Sequence, residues 1–109
     1  MSKAKGDVAE EKVNQFLLEN GYLVKDRNFY SRFGEIDIIA QKGDVLHFIE
    51  VKSAKEYEVA VQNITPKKVS RIIRTIDVYL KRYALDVEYC IDAVIVVDDD
   101  IEMVENITI

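Results

Sequence analysis

A mixed α/β fold is what this sequence predicts, with a central mixed β-sheet flanked by helices in the order α-β-β-β-α-β-β. Three observations carry that expectation. Two stretches repeat apolar residues at helical spacing, two apolar runs flank a glycine-containing turn, and a late run is rich in β-branched residues. The 109 residues allow one hydrophobic core and not two, so residues 1–109 read as a single domain.

Residues 3–20 form the first expected helix. Ala9, Val13, Phe16 and Leu17 make one apolar stripe, and Gly21 stands where a left-handed C-terminal residue belongs. Residues 22–30 are expected as the first strand. Residues 34–41 and 45–52 are the arms of a hairpin whose turn is Lys42–Gly43. Residues 53–64 read as polar and irregular, with strand-like character around "YEVAV". The second helix has Thr65 as N-cap, Pro66 at its first position, and a buried stripe of Val69, Ile72, Ile73, Ile76, Leu80 and Tyr83. Residues 87–97 then read as a central strand, "DDD" at 98–100 as a turn, and residues 101–109 as a closing edge strand.

Composition narrows the function. Apolar residues make up 49% of the chain and charged residues 32%, a soluble globular balance. The longest apolar run, Ala93 to Val97, is far short of a membrane span, and the N-terminus lacks a secretory apolar region. The single cysteine, Cys90, excludes an intrachain disulfide framework and fits a reducing cytoplasm, the expected location. One histidine and one cysteine are not expected to build a zinc site, so a bound metal should be a hard cation held by carboxylates. The net charge of −5 is uneven. Residues 1–85 hold all 15 Lys and Arg against 12 Asp and Glu, a net of +3, whereas residues 86–109 hold 8 acids and no base. The bulk acidity therefore does not exclude a nucleic-acid partner.

The hairpin "FGEIDIIAQKGDVLHFIEVKSA" places charges inside its two best strands. Strand parity puts Glu35 and Asp37 on one face of the first arm, and Glu50 and Lys52 with Leu46 and Phe48 on one face of the second. A Lys42–Gly43 turn would set Asp37 opposite Phe48 and Glu35 opposite Glu50, making Asp37 and Glu50 diagonal neighbours roughly 7 Å apart at Cα. Carboxylates this close repel, and a divalent cation resolves the conflict. Mg²⁺ takes one or two carboxylates and completes its shell with water and phosphate oxygens. Lys52 would aim its ammonium at the same place, to steady phosphorane charge or orient an attacking water. The plainer account is an exposed Glu50–Lys52 ion pair of ~0–1 kcal/mol.

Several ordered motifs resemble the YraN-like group of small bacterial proteins in the PD-(D/E)xK restriction-endonuclease-like superfamily. "GEIDIIA" followed by "FIEVK" carries the likeness, with "KGDVAEEKVNQFLLENGYLVKDRN" before it and "TPKKVSRI" and "CIDAVIVV" after it. Gly6, Glu10, Gly21, Tyr22, Asn28, Lys68, Arg71 and Asp92 fall on family positions. The resemblance implies a restriction-endonuclease-like core in which Asp37, Glu50 and Lys52 are catalytic. Asp37 and Glu50, joined by Val51 and Glu10, would make the Mg²⁺ site, with Mn²⁺ as a substitute; for Glu10 the likeness is to archaeal Holliday-junction resolvases. An exposed helical glutamate is the other account of Glu10. Glu35 is either an outer-sphere partner or an exposed strand residue. One departure stands out: Ala54 occupies a position where the family usually carries Arg, with Lys55 as a candidate replacement.

Lys67, Arg71 and Arg74 fall on one helical stripe with Lys68 beside it. They are candidate phosphate contacts, or simply the solvated face of an amphipathic helix. Arg27 and Arg32, next to Phe29, Tyr30 and Phe33, could extend a nucleic-acid track, although core or turn packing is the better account of these aromatic residues. His47 alternates away from Glu50 and reads as structural, and Cys90 as a small buried residue. The expected function is a Mg²⁺-dependent endonuclease hydrolysing DNA, branched or otherwise structured, as in repair and recombination. A homodimer would suit substrates with two strands to cut. The alternative is a catalytically silent nucleic-acid- or protein-binding module that keeps the fold.

Overall fold

Eight elements succeed one another in a computed structural model that describes residues 2–107, with side chains from residue 8 onward. They are α1 (Ser2–Glu19), β1 (Leu23–Ser31), β2 (Gly34–Lys42), β3 (Val45–Ser53), α2 (Tyr57–Gln62), α3 (Pro66–Arg82), β4 (Glu88–Val97) and β5 (Asp100–Val104). The strands form one five-stranded sheet in the order β1-β2-β3-β4-β5. Only β3 and β4 are parallel, and α2 and α3 supply the crossover between them. This is a mixed sheet with helices on both faces, the restriction-endonuclease-like core the sequence led one to expect.

Local signals set most boundaries. At the end of α1, Gly21 adopts φ +86°, the Tyr22 N–H reaches the Leu17 carbonyl at 2.9 Å and the Gly21 N–H the Leu18 carbonyl at 3.3 Å. These are the two bonds of a Schellman cap. At the start of α3, the Thr65 hydroxyl accepts the Lys68 N–H at 3.2 Å and Pro66 takes the first helical position.

The sheet separates two cores. Val13 and Leu17 of α1 bury against Ile38, Ile49 and Val94 on one face. Ile72, Ile76 and Tyr79 of α3 bury against Ile36, Phe48 and Ile91 on the other. Tyr79 meets Phe29 and Phe48 edge-on, at centroid distances of 5.0 and 5.7 Å.

Four expectations need correction. The element order gains a helix, because "YEVAV" lies in α2 rather than in irregular or extended chain. Ala60 is the reason: it is 1% exposed and packs on Ala93 and Ile95, so tertiary burial overrides the strand propensity of Tyr and Val. The hairpin turn is Gly43–Asp44, not Lys42–Gly43, since Lys42 pairs with Val45 and Ile39 with Phe48. Gly43, at φ +61°, takes the first turn position, where glycine is least strained. The register therefore moves by two residues, which leaves strand parity unchanged.

The buried stripe of α3 is also rotated. Thr75 and Tyr79 are in the core while Ile73 and Tyr83 are exposed. Thr75 can be fully buried because its hydroxyl bonds both the Arg71 carbonyl and Ser31 Oγ, each at 3.0 Å. Finally, the edge strand begins at Asp100 and stops at Val104. Residues 105–107 turn back over β4, where the Ile107 N–H donates to the Ile91 carbonyl at 2.8 Å. Residues 108 and 109 of the expected strand lie outside the described residues.

Candidate active site

Simple alternation fails at Asp37, and that failure shapes the site. Ile36 joins the α3-side core with Ile39, whereas Ile38 and Ala40 join the α1-side core. Across the ladder on β1, Asn28 has φ +53°, between the pairs Arg27–Ile38 and Phe29–Ile36. A left-handed residue inside a strand twists the chain there, and asparagine tolerates that conformation better than most residues. The β2–β3 pairing ends at Ile38–Ile49. Beyond it, Asp37 Oδ2 accepts the Val51 N–H at 2.8 Å in place of a main-chain partner.

Asp37 is only 7% exposed. Burial, then hydrogen bonding and charge repulsion from Glu50, push its carboxyl up to about 8 despite the opposing pull of the Val51 N–H and Lys52. Lys52 Nζ stands 3.7 Å from Glu50 Oε1, and both side chains are largely shielded from solvent. This is not the exposed strand pair considered above. Glu50 and Lys52 line a hollow of about 230 Å³ with Gly34, Glu35, Lys68, Arg71 and Ile72. Gly34, at φ +150°, takes a backbone conformation that side chains strain, while the space toward Arg71 and Thr75 of α3 would admit a Cβ at ordinary contact distance.

Asn28 links the remaining acids. With its amide nitrogen turned toward the carboxylates, it donates to Glu10 Oε1 at 3.1 Å and to Glu35 Oε2 at 3.2 Å. Burial, and then the nearby Asp37, raise the Glu10 carboxyl pKa, while Asn28 works against them. Asn28 matched the family pattern but received no role from sequence. An asparagine interrupting a strand was the available signal.

The expected residues are thus partly gathered. Asp37, Glu50 and Lys52 come together, Glu10 approaches from α1, and Val51 engages Asp37 through its N–H, leaving only its carbonyl as a metal donor. Lys68 and Arg71 reach the hollow. Arg74 instead lies over the Phe33 ring at 5.7 Å, a ring that Arg32 also contacts at 4.8 Å, and Lys67 is exposed on the helix surface. Arg27 Nη1 is held by Glu11 at 3.0 Å. Ala54 packs beside Ala60, Ala93 and Ile95, and Ala54 and Lys55 together line a second hollow with Lys12, apart from the one that holds Glu50.

A second constellation was missed. Among the described residues, the trio whose ligand atoms all lie within 4.8 Å of one another is His47, Cys90 and Asp92. These are donor types that could coordinate a metal ion, a grouping that the expectation of carboxylate ligands alone did not consider. Counting residue types overlooked that the parallel pairing of β3 with β4 sets His47 beside Cys90. The clue in the sequence was an Asp two residues after the Cys.

Comparison with known proteins agrees with the fold. A family described as "Uncharacterised protein family UPF0102" matches residues 9–96. Relatives named UPF0102 protein occur in Sulfurimonas denitrificans, 62% identical with 100% of both chains covered, and in Aliarcobacter butzleri, 52% identical with 99% of both covered. Another, from Helicobacter hepaticus, is 44% identical over 99% of this chain and 97% of its own.

Proposed function

From the premise that the chain belongs to the UPF0102 family, the YraN-like group of the PD-(D/E)xK superfamily, we propose a divalent-metal-dependent endonuclease that hydrolyses DNA. The observation that carries this is the buried carboxyl of Asp37, pushed up to about 8 by burial and by Glu50, with a half-buried Lys52 beside them. A carboxyl placed as Asp37 is resists ionisation unless a cation joins it. Together with water and phosphate oxygens, the pair suits Mg²⁺ or Mn²⁺.

Asp37 and Glu50 would hold the ion, with the Val51 carbonyl as the adjacent main-chain donor. When bound, the cation supplies Lewis-acid polarisation and charge neutralisation at the scissile phosphate. Lys68 and Arg71 would bind the phosphate at the mouth of the hollow. Lys52 would orient the attacking water and steady the negative charge that develops on phosphorus. Asn28 would hold Glu10 and Glu35 in place behind the metal pair. Branched or structured DNA is the favoured substrate. A homodimer would let two such sites act on paired strands.

Cleavage of linear, forked and four-way DNA with Mg²⁺ or Mn²⁺ tests the proposal. Asp37→Ala and Glu50→Ala should each lower the rate about 100-fold or more with circular dichroism unchanged. Equal rates in wild type and both variants would indicate a contaminating nuclease and remove the idea. DNA binding without any carboxylate-dependent metal binding would favour the silent module that the overall negative charge and Ala54 first suggested.

A further inference from the structure

We propose that His47, Cys90 and Asp92 form a second metal site, of the zinc class, on the opposite face of the sheet from Glu50 and Lys52. The topology builds it. His47 and Cys90 are register partners on the parallel strands β3 and β4, and Asp92 lies two residues further along the same face. Strand parity separates His47 from Glu50, so the two sites share a sheet and no ligand. Tyr22 covers the imidazole edge-on at a centroid distance of 5.1 Å.

The donor geometry is already close to what zinc needs. His47 Nδ1 lies 2.6 Å from Asp92 Oδ2 and 3.0 Å from Cys90 Sγ, and Sγ lies 3.6 and 3.7 Å from the two Asp92 oxygens. Tetrahedral zinc bonds of about 2.0 Å to nitrogen and oxygen and about 2.3 Å to sulfur imply ligand separations of roughly 3.3 to 3.5 Å. The sulfur–carboxylate edge has nearly that length. The imidazole alone would retreat, by about 0.5 Å from the sulfur and about 0.7 Å from the carboxylate on those bond lengths, and its side chain is still 13% exposed.

Ligand chemistry fixes the class. A thiolate with an imidazole selects a borderline-soft ion, whereas Mg²⁺ and Ca²⁺ prefer oxygen. Charge agrees as well. Asp92 is 0% exposed, and among the described residues no Lys or Arg forms an ion pair with it. A dication with one thiolate, one carboxylate and a neutral imidazole sums to zero. On binding, the Cys90 Sγ–H proton and any second imidazole proton pass to solvent, and no electron moves. Water would fill the fourth position. Asp92 Oδ1 also accepts the Asn106 N–H at 2.8 Å, so the ion would tie β3, β4 and the returning chain end together.

Cobalt supplies the probe. Reduced, chelator-stripped full-length protein titrated with Co²⁺ in excess Mg²⁺, which occupies the proposed carboxylate site, should bind one cobalt ion per chain. It should develop a thiolate-to-cobalt charge-transfer band in the near ultraviolet that Zn²⁺ abolishes by displacement. The isosteric Cys90→Ser should lose that band while keeping its circular dichroism, and His47→Gln should weaken binding at least about tenfold. Asp37→Asn should retain the band, which separates this site from the proposed catalytic one. The proposal is overturned if wild type binds no stoichiometric cobalt at micromolar metal, or if the band persists unchanged in Cys90→Ser.

Discussion

Asp37 combines two roles that pull against each other in the absence of a cation. Its carboxyl has a raised pKa, so the folded state favours the protonated form. The sign follows directly. Its contribution to stability is fully present below the ordinary carboxyl value of 3.8 and is lost as pH rises through about 8. Asp37→Asn keeps an oxygen for the Val51 N–H and removes the charge. In chelator it should therefore be more stable than wild type at pH 8 by about 1 kcal/mol or more, with the difference vanishing near pH 4. Urea melts at the two pH values measure this, and equal stability at both would show that the carboxyl is not strained. Adding Mg²⁺ should stabilise wild type at pH 8 and leave the asparagine variant unmoved.

Helix α3 does two jobs through two faces. Its buried face is pinned by a polar residue, since Thr75 bonds to its own helix and to Ser31 at the β1–β2 turn. Those bonds bring the turn, and with it Gly34 and Glu35, against the helix that carries Arg71. Thr75→Val preserves shape and removes both bonds, so it should cost about 1–2 kcal/mol in denaturant unfolding. Proposed cleavage should fall as well, because the hollow loses its wall; a variant that is destabilised but cuts normally would separate the packing role from the positioning role. At the chain end, the Lys12–Asp99 pair at 2.9 Å joins α1 to the β4–β5 turn and lowers the Asp99 pKa. Being exposed, it matters little for stability.

For the whole molecule, charge is distributed so that a net of −5 does not prevent contact with a polyanion. The last 24 residues hold 8 acids, whereas Lys68 and Arg71 of α3 stand at the hollow beside Glu50. Lys68→Ala and Arg71→Ala should each weaken DNA binding across all sequences. Each should also lower the slope of log affinity against log salt by about 1. Binding isotherms at three salt concentrations measure both effects, and unchanged slopes would move the DNA to another face.

Much of this architecture is legible without coordinates because its causes are local. Helical stripes, the Thr65–Pro66 start, the Gly21 stop and the alternation of the hairpin depend on neighbours within about one or two turns of chain. The nearness of Glu50 and Lys52 was legible for the same reason, since the two-residue change of register kept parity on β3; the break in alternation that sets Asp37 beside them was not. Three further things needed the tertiary structure. Ala60 becomes helical through a contact with β4, Asn28 and Glu10 meet across β1 and α1, and His47 finds Cys90 and Asp92 forty-odd residues away. Each depends on a pairing or crossover between distant segments, and sequence spacing does not encode which strands become neighbours. Local periodicity determined the elements and the acidic hairpin; only the long-range register decided what surrounds them.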